Sequence, residues 1–183
     1  MNRRTFLTST AASMTMLAAA NKDALARMQY ISTSTPTSTS LDIEEYSPLE
    51  SLYLGVLFTW LELLDDTLDD LQEAISQMED EHYSERAKAA MLLPLGLWRH
   101  VARDTTKFGG PELFVEAHQH TVAAFDHLGA AAEIFVSGVI EENAPAITLG
   151  TELINMASEE IGLMIDALPF ARPNRDKLLP ESK

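Results

Sequence analysis

The chain contains no cysteine. That absence excludes disulfides, thiolate zinc, iron–sulfur clusters, blue copper, covalent c-type haem and lipoprotein anchoring. Positive charge is scarce too: 13 Lys and Arg stand against 28 Asp and Glu in 183 residues, a formal net charge of −15. A surface of that sign repels phosphate backbones and anionic lipid, which argues against nucleic acid as a partner. The sequence has no Gly-x-Ser-x-Gly elbow, no phosphate-cradling glycine loop and no Asn-Gly or Asp-Gly hairpin turn. Nor does any stretch alternate apolar and polar residues with period two over a useful length. Helical architecture is what these exclusions leave, and they give no footing to nucleophilic catalysis.

What is present begins with an address. The chain opens Asn2-Arg3-Arg4-Thr5-Phe6-Leu7. A weakly apolar stretch rich in Ala, Ser and Thr follows, from Phe6 to Ala20, and is too short and polar to anchor in a bilayer, which takes about 20 strongly apolar residues. Small residues at Ala24 and Ala26 then supply a signal-peptidase cleavage site, with Lys22 just before it. The arrangement of Arg3, Arg4, Phe6 and Leu7 resembles the twin-arginine (Tat) signal motif. Asn2 and Thr8 depart from the usual Ser/Thr and Lys of that motif. The resemblance covers residues 1–26 only. It implies recognition by the Tat translocase and export to the periplasm, cell surface or medium, with no stable membrane span after cleavage. Loss of residues 1–26 takes away Arg3, Arg4, Lys22 and Asp23, so the mature chain has 157 residues with 10 basic against 27 acidic ones. That length suffices for one domain with a real core.

Residues 27–46 include the tract Ser32 to Ser40, built from Ser, Thr and one Pro, and read as a flexible linker. Residues 169–183, punctuated by Pro169, Pro173 and Pro180, read as a disordered tail. Four helical segments lie between, over 47–168. The first opens with a capping box, Ser47 with Glu50, and Pro48 at the first helical position. Its apolar seam runs Leu54, Leu57, Leu61, Leu64, Leu68, Leu71, Ile75 and Met78, the spacing of a helix-bundle face. The second runs from about Ser84 to Thr105 with Ala87, Met91, Trp98 and Val101 inward, and Pro94 predicts a kink or a break. The third follows Gly109-Gly110-Pro111, reaches about Ile140, and turns Phe114, His118, Thr121, Phe125, Leu128, Ala132, Phe135 and Val139 inward. The fourth follows Asn143-Ala144-Pro145 with Ile147, Gly150, Ile154, Ala157, Ile161, Met164 and Leu168 inward, and ends at Pro169. The expected fold is all-α, an up-down-up-down four-helix bundle with a kinked second helix. A hairpin turning near residues 82 and 83 would set Asp66 opposite Arg99 and Glu62 opposite Arg103.

Candidate chemistry is thin. Residues 42–85 hold fourteen acids and no Lys or Arg. Asp65-Asp66-x-x-Asp69-Asp70 lacks the glycine turn and ligand spacing of an EF-hand, so it reads as a solvated outer face. The one Glu-x-x-His pair, Glu79 with His82, falls at a helix end, whereas a di-metal bundle needs two such pairs and two further glutamates, all inward. His118, His120 and His127 share a helix but point apart. His118, on the seam, reads as a buried, hydrogen-bonded residue; the competing reading makes it a b-type haem ligand opposite Met156 or Met164. Trp60 and Trp98 read as core or seam-edge packing, and Gly129 to Ala132 as ordinary core packing rather than a place for close helix approach or for a partner helix to dock. The sequence therefore assigns no catalytic, cofactor or metal residue and leans away from an enzyme. It points to an exported, acidic helical bundle acting as a protein-interaction or structural module at the cell envelope, through a protein partner or self-association. The rival is a haem- or metal-binding bundle exported already folded.

Overall fold

The computed structural model describes residues 3–33, 46–79, 85–141 and 143–168. Among them the chain is all-helical, with five α-helices and no strand. α1 spans Arg3–Thr33, α2 Pro48–Glu79, α3 Glu85–Thr105, α4 Val115–Ile140 and α5 Ala144–Ala167, with a short 3-10 turn at Glu112–Phe114 before α4. Each helix packs against the next in the chain, and α1 also packs against α5, which closes the group into a ring.

The difference from the sequence reading lies at the start of the chain. Residues 27–33, expected in a linker, continue α1. The rest of that linker up to residue 45, and the proline-rich tail, lie outside the described residues. α1 is a packed element of the bundle: Thr10, Ser13, Met14, Leu17, Ala18, Asn21, Ala24 and Met28 are buried along one side. Those positions follow helical spacing and face α2 and α5, so five helices share one core where four were expected. Thr10 meets Thr151 at 3.2 Å and Arg27 reaches Asp166 at 4.0 Å, so α1 and α5 run in the same direction.

Local signals set the other helix ends. At α2 the Ser47 amide donates to Glu50 Oε2 at 2.7 Å and the Glu50 amide donates to Ser47 Oγ at 3.3 Å, satisfying two of the amides that a helix start leaves unpaired. At α5 the Ala146 amide donates to Asn143 Oδ1, and Pro145 occupies the first turn, where its missing N–H costs nothing. α3 runs unbroken through Pro94, which is buried. The pyrrolidine removes one backbone donor, and the turns on either side carry the helix across it.

The core follows the seams. Leu57, Leu61, Leu64, Leu68 and Leu71 of α2 are buried, joined by Tyr53, Thr67 and Ala74; Leu54 is only half-buried, and the side chains of Ile75 and Met78 lie outside the described set. On α3, Met91, Leu95, Trp98 and Val101 are buried. On α4 the buried set includes Phe114 just before it, Thr121, Phe125, Leu128, Ala131, Ala132 and Phe135. All seven expected seam positions of α5, from Ile147 to Leu168, are inside. Small residues let helices approach closely: a Cβ on Gly129 would lie 2.8 Å from Ala102 Cβ, and one on Gly150 would lie 2.9 Å from the Phe135 ring. Trp98 is satisfied as well as packed, its Nε1–H donating to Thr67 Oγ1 at 2.8 Å while that hydroxyl donates to α2 carbonyls.

The Trp98–Thr67 bond follows the expected α2–α3 register, but the expected ion pair is not the one that forms. The Asp66–Arg99 bridge does not form among the described residues; Arg99 bonds Glu133 of α4 at 2.8 Å. Arg99 lies on the face of α3 that meets α4, and the register sum for an α2–α3 hairpin does not encode that rotation.

Leu64→Ala and Phe125→Ala should each destabilise the protein by about 2–5 kcal/mol, through lost burial and the cavity left behind. Glu62→Ala, on an exposed position, should stay within about 0.5 kcal/mol. Denaturant midpoints of the three variants check the assignment of the buried face.

Candidate functional site

Two places concentrate chemistry: an aromatic layer around His118, and the seat that α2 and α5 make for α1.

The aromatic layer is assembled by α2 and α4 together with the segment that joins α3 to α4. Tyr53 is fully buried and stacks on Phe114 at a centroid distance of 5.2 Å and on Phe108 at 6.2 Å. Trp60 meets Phe108 and Phe125 edge-on at 5.8 and 6.2 Å. His118 stands edge-on to Tyr53 at 5.7 Å, its Nδ1 lying 3.3 Å from the Tyr53 hydroxyl. Burial pushes the Tyr53 hydroxyl up to about 12, against a smaller opposing hydrogen bond with Thr121. Burial also pulls His118 below the ordinary histidine value, against a hydrogen bond to the Phe108 backbone. The stable arrangement is therefore a neutral tyrosine donating to a neutral imidazole whose other nitrogen carries the proton. Both partners are held by the protein's own groups, as for a satisfied core histidine.

Of the other histidines, His120 joins two helices. His120 Nδ1 lies 2.7 Å from Glu160 Oε2, tying α4 to α5 at a half-buried position. Nothing in the sequence pairs these two residues: they are forty apart, and only the α4–α5 crossing brings them together. Met156, one of the two methionines considered opposite His118, is 45% exposed on the outside of α5, whereas Met164 is buried. Among the described residues no group of three or more His, Asp or Glu is placed to hold a metal ion. Glu79 has no described side chain and His82 lies outside the described residues. Between α3 and α4 an open groove of about 300 Å³ carries both signs, Arg99 and Arg103 facing Asp126 and Glu133.

The seat for α1 is built from apolar side chains and few polar pairings. Asn21 is fully buried and its Nδ2 donates to the Leu61 carbonyl of α2 at 2.9 Å. The Thr10–Thr151 contact ties α1 to α5. Three buried oxygens lack a partner among the described residues: Oδ1 of Asn21, of Asp65 and of Asn155. Asp65 follows Leu61 by one turn, on the side of α2 that Asn21 reaches. A buried polar atom left unpaired costs about 1–3 kcal/mol, so α1 is held by apolar burial against a polar penalty. Arg3, Arg4, Phe6 and Leu7 form the first turns of α1, with side chains outside the described set. Ala24 is 1% exposed against the bundle, while Ala26 faces outward on the same helix. Among the described residues no helix is long and apolar enough to cross a membrane.

Compared with known protein families, characterised proteins and solved structures, the chain matches none.

Two outcomes follow from these geometries. For His118, the unfolded chain binds more protons than the folded one once pH falls below the ordinary value of 6.5. Stability should therefore drop progressively from there toward the lowered folded value, and His118→Gln should remove that component; comparing denaturation of the two proteins at pH 7 and pH 5 isolates it from the carboxylates. For the seat, Leu17→Asp should release α1 and speed tryptic cleavage after Lys22 and Arg27 by more than about tenfold, which corresponds to ~1.4 kcal/mol of local opening.

Proposed function

We propose that the chain is a precursor exported through the twin-arginine translocase, and that its helical body acts at the cell envelope as an acidic protein-interaction module. The observation that carries this reading is α1. It opens on Arg3-Arg4-Thr5-Phe6-Leu7, and the body seats it along a single stripe that pairs only part of its polar atoms. A translocase that moves folded cargo needs a signal that can leave a folded body without unfolding it. A helix held by one apolar stripe, with Asn21 Oδ1 left unpaired in the seam, meets that need at modest cost. Cleavage after Ala26 requires the same departure, because Ala24 is covered while α1 is docked.

In this reading the mature part keeps α2 to α5 as an alternating up-down bundle, bent at Pro94, that lies in the periplasm, on the surface or outside the cell. Acidity suits such a module: like-charged surfaces stay soluble and steer toward cationic partners. The aromatic layer around His118 serves stability, since its polar atoms are spent on one another.

Arg3→Lys combined with Arg4→Lys should leave unprocessed precursor in the cytoplasm. Fractionation and immunoblotting of the double variant, beside the wild type in a strain lacking the translocase, read the outcome. Normal export in both cases would remove the proposed address.

A further inference from the structure

The outward face of α5 carries a second organised feature that the bundle core does not use. Leu149, Met156 and Leu163 are 47%, 45% and 48% exposed, and they recur every seven residues. Seven residues are close to two helical turns, so the three side chains form one line, about 21 Å long at 1.5 Å per residue. Leu153 and Ala167, half-buried at the edge of the core, flank the line on the side toward α4, with Glu160, bonded to His120, between them. Glu152, Glu159 and Asp166 run parallel to it on the side toward α1, each three residues beyond a stripe residue and all exposed. α5 contains no lysine, arginine or histidine between Ala144 and Ala167. Arg27 of α1, bridged to Asp23 of its own helix at 3.0 Å, reaches Asp166 of this rim at 4.0 Å.

We propose that this face is a docking surface for a basic amphipathic helix of another protein. The partner helix would set apolar residues at heptad spacing on the Leu149–Met156–Leu163 line and Lys or Arg beside Glu152 and Glu159. Charge decides the occupant. Two copies of α5 laid together along the stripe would set two acidic rims against each other without a single base on either helix, which disfavours self-association. An anionic lipid surface meets the same repulsion. A helix with basic flanks gains on both counts, by covering the stripe and by neutralising its rim. The inference rests on the interaction-module reading and specifies its surface and partner class; it does not depend on export.

The test uses the purified full chain and two labelled synthetic helical peptides of about four turns, both with leucine at heptad positions, one flanked by lysine and the other by glutamate. Fluorescence anisotropy should show binding of the lysine peptide and at least about tenfold weaker binding of the glutamate peptide. Leu149→Ser with Met156→Ser and Leu163→Ser leaves every charge in place and should abolish most of the binding. Glu152→Lys with Glu159→Lys should shift preference toward the glutamate peptide. Circular dichroism confirms that both variants keep their helices, which is expected because all five positions are exposed. Undiminished binding of the lysine peptide to the triple serine variant would mean plain charge attraction and would overturn the proposal. So would a concentration-dependent dimer in sedimentation that the same variant abolishes, or binding to zwitterionic vesicles lost in it. Any of these would leave the export result with the arginine variants untouched, so the two readings fail separately.

Discussion

Burial of the α2 seam is the interaction on which the rest of this bundle depends. α2 reaches three other helices: the Leu61 carbonyl receives Asn21 of α1, Thr67 receives the Trp98 indole of α3, and Tyr53 and Trp60 enter the aromatic layer with α4. Each fully buried leucine contributes about 1.5–3 kcal/mol relative to exposure, and no disulfide is available to substitute for that term. The polar contacts around the seam orient the neighbours but are individually small on balance. Removing the seam would leave α1 and α3 without a common support.

Electrostatics acts on the same helices from the opposite side. The acids of α2 stand largely outward, as do Glu152, Glu159 and Asp166 of α5, so the charge lies where water screens it. Some charge pairs stay within one helix, such as Arg27 with Asp23, and others join helices, with Arg99 and Glu133 linking α3 to α4 and Arg27 and Asp166 linking α1 to α5. These exposed pairs add little stability, about 0–1 kcal/mol each, and their value lies in rotational alignment. The few bases are thus partly committed to the fold.

Much of the local architecture was legible in the residues. The capping box at Ser47 and Glu50 formed as its spacing required, and the α5 seam is buried at every expected position. Both depend on contacts within one helix or on its period. Tyr53 and Thr67 were missed as inward positions because a single aliphatic seam ignores residues one step round the helix, which also face a crowded core. α1 was missed as a bundle element for a related reason. Its buried set mixes Thr, Ser, Ala and Asn with Met and Leu, so the apolar stripe is shallow, and the sequence reading takes that composition for an export signal. The Glu133 partner of Arg99 and the Glu160 partner of His120 were invisible, since each depends on how two helices are rotated where they cross.

By itself, the sequence determined that the chain would be helical, where α2 and α5 would begin, and which stripe of each would be buried. These follow from period, caps and charge, which act over a few residues. The tertiary structure alone decided that α1 closes a ring between α2 and α5, that Asn21 meets Leu61, that His118 sits satisfied beside Tyr53, and that Leu149, Met156 and Leu163 stay outside. Those outcomes depend on which surfaces lie opposite one another once five helices share one core, and no stretch of chain encodes that alone.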